Sequence, residues 1–129
     1  MTNLSAIERL AFWEVYNKKC IYCDRPLERT SEMHIDHLFP QDLEQNEIRF
    51  NEIKKQYGLP DDFDLDSYEN LVSSCGPCNR KKSNNLLSNN AMFNYHSIAN
   101  RRSKAIKMKI IELESKLSSS EMILKLKSL

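Results

Sequence analysis

Three side chains in this sequence have complementary chemistry: Asp36, His37 and Asn79. A carboxylate binds hard divalent cations, and a neutral imidazole can take a proton from water near pH 7. The amide oxygen of Asn79 is a further hard ligand. These residue types therefore offer one proton acceptor and two cation ligands, which can act together only if the fold brings them together.

The four cysteines form two Cys-x-x-Cys pairs, one on each side of the Asp-His pair in the chain. Two intervening residues let one turn direct both sulfurs at one tetrahedral ion, at about 2.3 Å for zinc, and two pairs complete a closed structural site. Two short disulfides, a redox pair and an iron–sulfur cluster are the alternatives. A reducing compartment disfavours disulfides, and no βαβ pattern supports a redox pair. We therefore predict one structural zinc, bound by Cys20, Cys23, Cys75 and Cys78.

The order of these motifs resembles that of the HNH nuclease family. The resemblance covers about residues 20 to 84 and includes both cysteine pairs. Two further motifs lie between the cysteine pairs, Asp36-His37-Leu-Phe-Pro40 and Asn70-Leu-Val. The second pair is followed by the ending Cys78-Asn79-x-x-Lys82. The resemblance implies a small ββα-metal fold and an endonuclease that hydrolyses DNA phosphodiester bonds.

The same resemblance implies a role for each matching residue. His37 is the general base, and Asp36 and Asn79 hold one catalytic Mg²⁺ or Mn²⁺ ion. Asn70 orients the base and its loop. Contacts to DNA phosphates, which position the duplex without reading its sequence, would come from Arg80, Lys81 and Lys82.

Two hypotheses without catalysis remain beside the nuclease. One is a zinc-stabilised DNA-binding module, and the other is a protein adaptor. A binding module has no need for an Asp-His pair, so the presence of Asp36, His37 and Asn79 favours catalysis. Restriction or antiphage defence is the setting suggested by analogy with small HNH nucleases. His34 is expected to be a strand histidine rather than a further ligand.

The fold class predicted around these residues is α+β, a small ββα-metal or treble-clef-like core with flanking N- and C-terminal helices. Ser5-Ala-Ile-Glu8 is a capping box that begins an N-terminal helix. Met33 to Leu38 predicts a short strand, and Pro77 suits the first turn of a helix that runs toward Leu87. The zinc would hold the turn before the strand and this last helix in register.

An acidic insert over residues 41–69 distinguishes the chain from HNH nucleases that have a short turn here. It contains nine acidic and three basic residues, and a helix is predicted over Leu43 to Tyr57. The following segment, residues 70–111, contains eight Lys or Arg and no Asp or Glu. Such a distribution suits contacts between the second half of the chain and a polyanion such as DNA, and the alternative is a solvated helix face.

The nuclease domain is predicted over residues 1–90 and a C-terminal helical extension over residues 91–129, with a further short helix over Glu121 to Leu129. In the extension, Ile106, Ile110, Leu113 and Leu117 form a narrow apolar seam. It suits pairing in a homodimer or with a missing second domain or partner, and the alternative is a helix that covers the core.

No stretch approaches the ~20 apolar residues of a membrane span, so we predict no membrane association and a cytoplasmic location.

Overall fold

The computed structural model describes residues 3–117 and has the predicted α+β composition. The helices and strands, in chain order, are α1 Ala6–Val15, β1 His34–His37, α2 Glu47–Tyr57, β2 Leu71–Ser74, α3 Gly76–Lys82 and α4 Asn89–Ser115. Short 3₁₀ helices cover Thr30–Glu32, Gln41–Gln45 and Tyr68–Asn70. The helix predicted over Glu121 to Leu129 lies outside the described residues. None of the helices within residues 3–117 is long and apolar enough to cross a membrane.

Strands β1 and β2 form a two-stranded antiparallel sheet, with His34 opposite Ser74 and His37 opposite Leu71. An isolated two-stranded sheet is only marginally stable in water. All four residues of β2 are buried, and the sheet is packed between helices because α1 contacts β2 and α3 contacts β1. The helices thus supply the apolar cover that so small a sheet needs.

Helix α1 begins at the predicted capping box, which the structure confirms. The Ser5 hydroxyl accepts a hydrogen bond from the Glu8 N–H at 3.1 Å, and the Glu8 carboxylate accepts one from the Ser5 N–H at 3.0 Å. The helix buries four consecutive residues, and its Trp13 indole N–H donates to the Leu27 carbonyl at 2.7 Å. These buried residues are Leu10, Ala11, Phe12 and Trp13.

Helix α4 packs against both α1 and the 3₁₀ helix Tyr68–Asn70, and its buried stripe is longer than the predicted seam. Every seventh residue is buried, at Met92, Ala99, Ile106 and Leu113. A seven-residue spacing keeps one side of a helix against a partner, as in helix pairs generally. Two residues of the predicted seam are thus buried inside this chain, Ile110 packs partly against the core, and Leu117 is 37% exposed. The seam therefore covers the core, and pairing with a second chain stays a prediction.

Helix α3 is shorter than the sequence predicts, because it ends at Lys82 rather than near Leu87. Ser83 follows with φ +50°, which lies outside the right-handed helical region and stops the helix. Pro77 lies in the first turn, as predicted. Helix α2 ends where expected, since Gly58 takes the left-handed conformation (φ +66°) that closes a helix.

The acidic insert folds over an apolar layer of its own. Its charged residues surround six buried side chains, and the rings of Tyr57 and Phe63 pack against Phe39 with centroids 5.2 and 5.8 Å away. Phe39 follows β1, so this layer attaches the insert to the loop beside the sheet. The six buried side chains are Leu43, Ile53, Tyr57, Leu59, Phe63 and Leu65.

Candidate metal centre and active site

The four cysteines gather into one cluster, which we call the metal centre. Their sulfur atoms all lie within 4.8 Å of one another, and those of Cys23 and Cys75 are 3.8 Å apart. A tetrahedron with metal–sulfur distances of about 2.3 Å has edges of about 3.8 Å, whereas a disulfide bond is about 2.05 Å long. The cluster is therefore positioned to bind one metal ion, and its dimensions fit zinc.

Local backbone geometry builds each half of the metal centre. In the first half the chain reverses after Cys20, whose N–H bonds to the Arg25 carbonyl at 2.9 Å, with Asp24 in the left-handed region. The Ile21 N–H donates to the Ser73 carbonyl of β2 at 2.9 Å. The second half is the first turn of α3, where Cys75 caps the helix and accepts a hydrogen bond from the Cys78 N–H. The metal centre thus joins the turn before β1 to α3.

The thiols of the metal centre cannot all lose their protons unless a cation balances them. Burial and, to a smaller extent, the neighbouring thiols of Cys75 and Cys23 together raise the pKa of Cys78 to about 12. Burial also opposes the charged form of Cys75, but hydrogen bonds from the Cys78 N–H and the neighbouring thiols lower its pKa to about 7. Cys75 is therefore disposed to ionise near neutral pH whereas Cys78 is not, and a divalent cation would stabilise the Cys78 thiolate.

The three residues with complementary chemistry line a single cavity of about 550 Å³. We call it the Asp36 cavity. Asp36 and His37 reach it from β1, and Asn79 reaches it from α3. Residues separated by about forty positions in the chain are thus brought to one surface, because the metal centre holds the start of α3 beside the sheet.

Asp36 receives one donor from each half of the metal centre. The Tyr22 hydroxyl, between Cys20 and Cys23, donates to Asp36 Oδ2 at 2.6 Å. The ammonium of Lys82, in α3, lies 3.4 Å from the same oxygen. Burial and the Asp36 charge raise the pKa of Tyr22 far above its usual value, so Tyr22 stays a neutral donor. Both contacts use Oδ2 and leave Oδ1 for another partner.

Lys82 is a buried partner of Asp36 rather than a surface contact for phosphate, which corrects the sequence-based prediction. Its side chain is 3% exposed, and Nζ also donates to the His37 carbonyl at 2.6 Å. Burial lowers the pKa of Lys82, while the Asp36 carboxylate partly opposes that effect. Arg80 and Lys81, predicted with it to bind DNA, are both exposed on α3.

His37 lies at the end of β1 and contacts the acidic insert. Its Nε2 atom is 2.9 Å from Oδ1 of Asp66, and the Gln41 amide donates to that same oxygen at 3.2 Å. The His37 side chain is 16% exposed, so it remains within reach of a molecule in the cavity. The insert therefore supplies a carboxylate to the residue that the sequence analysis predicts to be a general base.

Asn70 is fully buried and holds the loop that follows His37. Its amide oxygen accepts from the Phe39 N–H at 2.8 Å, and its amide nitrogen donates to the carbonyls of Phe39 and Leu65 at 3.0 and 2.8 Å. The Asn70 carbonyl accepts from the Leu38 N–H at 2.9 Å. One side chain thus joins the loop after β1 to the end of the acidic insert.

The two other histidines lie in different surroundings. His34 is exposed on β1. Its ring lies close to Gly76, because a Cβ atom added to Gly76 would be 3.2 Å from Nε2 of His34. His96 packs edge-on against Phe39 and Phe63, with ring centroids 5.5 and 5.8 Å away. Neither is among the residues that line the Asp36 cavity.

Sequence reasoning missed the two residues that contact the Asp-His pair, Tyr22 and Asp66. Tyr22 could have been suspected, because a residue between two metal ligands is held close to whatever the metal centre joins. Asp66 had no such signal, since it is one of nine acidic residues in the insert.

In the comparisons with known proteins, no family description matches the chain, and none of the curated proteins matches it in sequence.

Proposed function

We propose that this protein is a metal-dependent endonuclease of the HNH type, which hydrolyses DNA phosphodiester bonds. The observation that carries the proposal is the Asp36 cavity, where Asp36, His37 and Asn79 meet. It is supported by the order of β1, β2 and α3, because an antiparallel hairpin followed by a helix is the arrangement expected of a ββα-metal core. A zinc ion bound at the metal centre would stabilise this core.

The donors in the Asp36 cavity suit one Mg²⁺ or Mn²⁺ ion. Asp36 and Asn79 would hold it through a carboxylate and an amide oxygen, and Mg²⁺ usually adds waters and substrate phosphates to so few protein ligands. Lys82 offsets much of the Asp36 charge, so phosphate oxygens would contribute strongly to binding. The ion would supply stabilisation of the charge that develops on the phosphate and on the leaving 3′ oxygen.

His37 would act as the general base. It would take a proton from a water molecule, whose oxygen forms a bond to phosphorus while the bond from phosphorus to the 3′ oxygen breaks. The leaving 3′ oxygen would take a proton from solvent, so the products would be a 5′-phosphate and a 3′-hydroxyl. Lys82 would hold the Asp36 carboxylate in place, and Asn70 would hold the loop after His37.

DNA would approach over the exposed side of α3, where Arg80 lines the cavity and the exposed Lys81 follows it. The basic residues of α4 are less available than the sequence suggests, because Lys107 and Lys109 pair with Glu69 and Glu14 at 3.5 and 3.0 Å. Contacts from α3 would position the phosphate backbone without reading sequence. Restriction or antiphage defence would be a suitable setting for such an enzyme.

The proposal is tested by incubating supercoiled plasmid with the protein and Mg²⁺ or Mn²⁺. His37→Ala is expected to slow cleavage by about 10²–10⁴-fold, as loss of a general base does. His34→Ala is the matched control, because His34 lies on the same strand and outside the cavity, and it should cleave like the wild type. Equal rates for wild type and His37→Ala would refute the assignment.

A zinc-stabilised module without catalysis is the second candidate, and the metal centre favours it equally, because four closed thiolate ligands serve structure only. The same plasmid experiment separates the two, when DNA binding is measured beside cleavage. Binding by a wild type that never cleaves would establish the DNA-binding module. Failure of both would point to the protein adaptor.

A further inference from the structure

The acidic insert places one carboxylate, that of Asp66, against the imidazole of His37. The 2.9 Å distance between Asp66 Oδ1 and His37 Nε2 joins residues 29 positions apart. Other aspartates of the insert, such as Asp62, are exposed. The acidic insert thus combines general negative charge with a specific contact to His37.

Asp66 is held in this position from three directions. Its backbone N–H donates to the Asp64 carboxylate at 2.9 Å, and the Gln41 amide donates to Oδ1 at 3.2 Å. The preceding residue, Leu65, is buried, and its carbonyl accepts from the Asn70 amide at 2.8 Å. A carboxylate fixed through its backbone, its side chain and its neighbour can orient an imidazole.

We propose that Asp66 is a positioning residue for His37, so that the acidic insert completes the active site. The proposal rests on the proposed function. A carboxylate can only accept a hydrogen bond, so the contact requires the proton of a neutral His37 to be on Nε2. The lone pair then belongs to Nδ1, which is the nitrogen that can take a proton from water. Asp66 thereby selects the tautomer and orients the ring of the general base.

This role resembles in its logic the aspartate that orients the histidine of serine proteases, where replacement by asparagine lowers kcat about 10⁴-fold. A smaller effect is expected here, because the Asp66 side chain is 40% exposed and water can take over part of the contact. For Asp66→Asn we expect kcat to fall on the order of 10- to 100-fold, as for outer partners of metal-bound histidines.

The matched control is Asp62→Asn, which removes the same charge from the same insert at an exposed position. Both variants remove one negative charge from the acidic insert, so the KM values report the loss of charge and a difference in kcat reports the contact with His37. We expect Asp62→Asn to keep the wild-type kcat. Asp66→Asn should have the lowered kcat with an unchanged KM, and Asp66→Glu should have a kcat close to that of the wild type. Equal kcat for Asp66→Asn and Asp62→Asn would overturn the proposal.

Nitrogen-15 NMR of the histidine rings tests the same contact without any activity. The chain has three histidines, so His37→Gln assigns the signal of His37. We expect the Nε2–H tautomer in the wild type and in Asp62→Asn, and a mixture of tautomers in Asp66→Asn. A wild type with the proton on Nδ1 would overturn the proposal. If the wild type showed the Nε2–H form but cleaved no DNA, the proposed function would fail while the Asp66 contact stood.

Discussion

The Tyr22 hydroxyl donates a 2.6 Å hydrogen bond to Oδ2 of Asp36, and this bond joins the metal centre to the Asp36 cavity. Tyr22 lies between two of the cysteines, while Asp36 lies on the strand that also carries His37. Any movement of the first cysteine pair therefore moves the donor that holds Asp36. The metal centre and the cavity thus form one connected unit rather than two neighbouring features.

Tyr22→Phe is expected to reduce the free energy of unfolding by about 1.5–3 kcal/mol, the usual contribution of a hydrogen bond to a charged group. Zinc content should not change, because the ring and the cysteines remain. Urea denaturation and metal analysis measure the two quantities. Tyr95→Phe is the control, since its ring lies 5.1 Å from that of Tyr22 and the bond to Asp36 is kept. Equal stability of Tyr22→Phe and wild type would contradict the link.

Lys82→Met is expected to destabilise the protein by about 3–5 kcal/mol, because it leaves the buried Asp36 carboxylate without its cation. The neighbouring Lys81→Met removes the same charge from an exposed position and should change stability by less than about 0.5 kcal/mol. Denaturant unfolding of both variants checks this. The double variant Lys82→Met/Asp36→Asn should recover part of the loss, and a lack of recovery would show that the pair is not coupled.

One zinc per chain is expected in the purified protein, because four thiolates saturate one tetrahedral ion. Chelation should unfold the region around the sheet, since the binding free energy of such a site is also folding free energy. Metal analysis gives the stoichiometry, and circular dichroism during chelation and zinc addition follows the unfolding and its reversal. Two intact disulfides in a metal-free protein, seen by mass spectrometry, would rule out the zinc.

DNA affinity should fall steeply with salt, and the two exposed residues of α3 should account for part of the slope. Arg80→Ala and Lys81→Ala are each expected to weaken binding to all sequences and to reduce the slope of log K against log salt by about 0.9. Fluorescence anisotropy at several salt concentrations measures this. Lys54→Ala, in the acidic insert, is the control and should leave the slope unchanged. A flat salt response of the wild type would favour the protein adaptor.

Features that depend on short stretches of chain could be predicted from the sequence. The two cysteine pairs, the Ser5–Glu8 capping box and the end of α2 at Gly58 all have the predicted form. The turn of each Cys-x-x-Cys pair and the two helix ends depend on the geometry of a few consecutive residues, whereas the fold of the chain brings the two cysteine pairs together. The α+β class followed from the same local elements.

Only the tertiary structure decided what faces inward and which distant residues meet. Lys82 looked like a surface cation, but the packing of α3 against the sheet directs it to Asp36. Helix α4 packs against α1 and the 3₁₀ helix Tyr68–Asn70 inside the chain, so its apolar stripe is buried there. Asp66 reaches His37 because the insert folds over its own apolar layer. Sequence spacing specifies which residues share one side of a helix, whereas the burial of apolar area across the whole chain determines which partner that side meets.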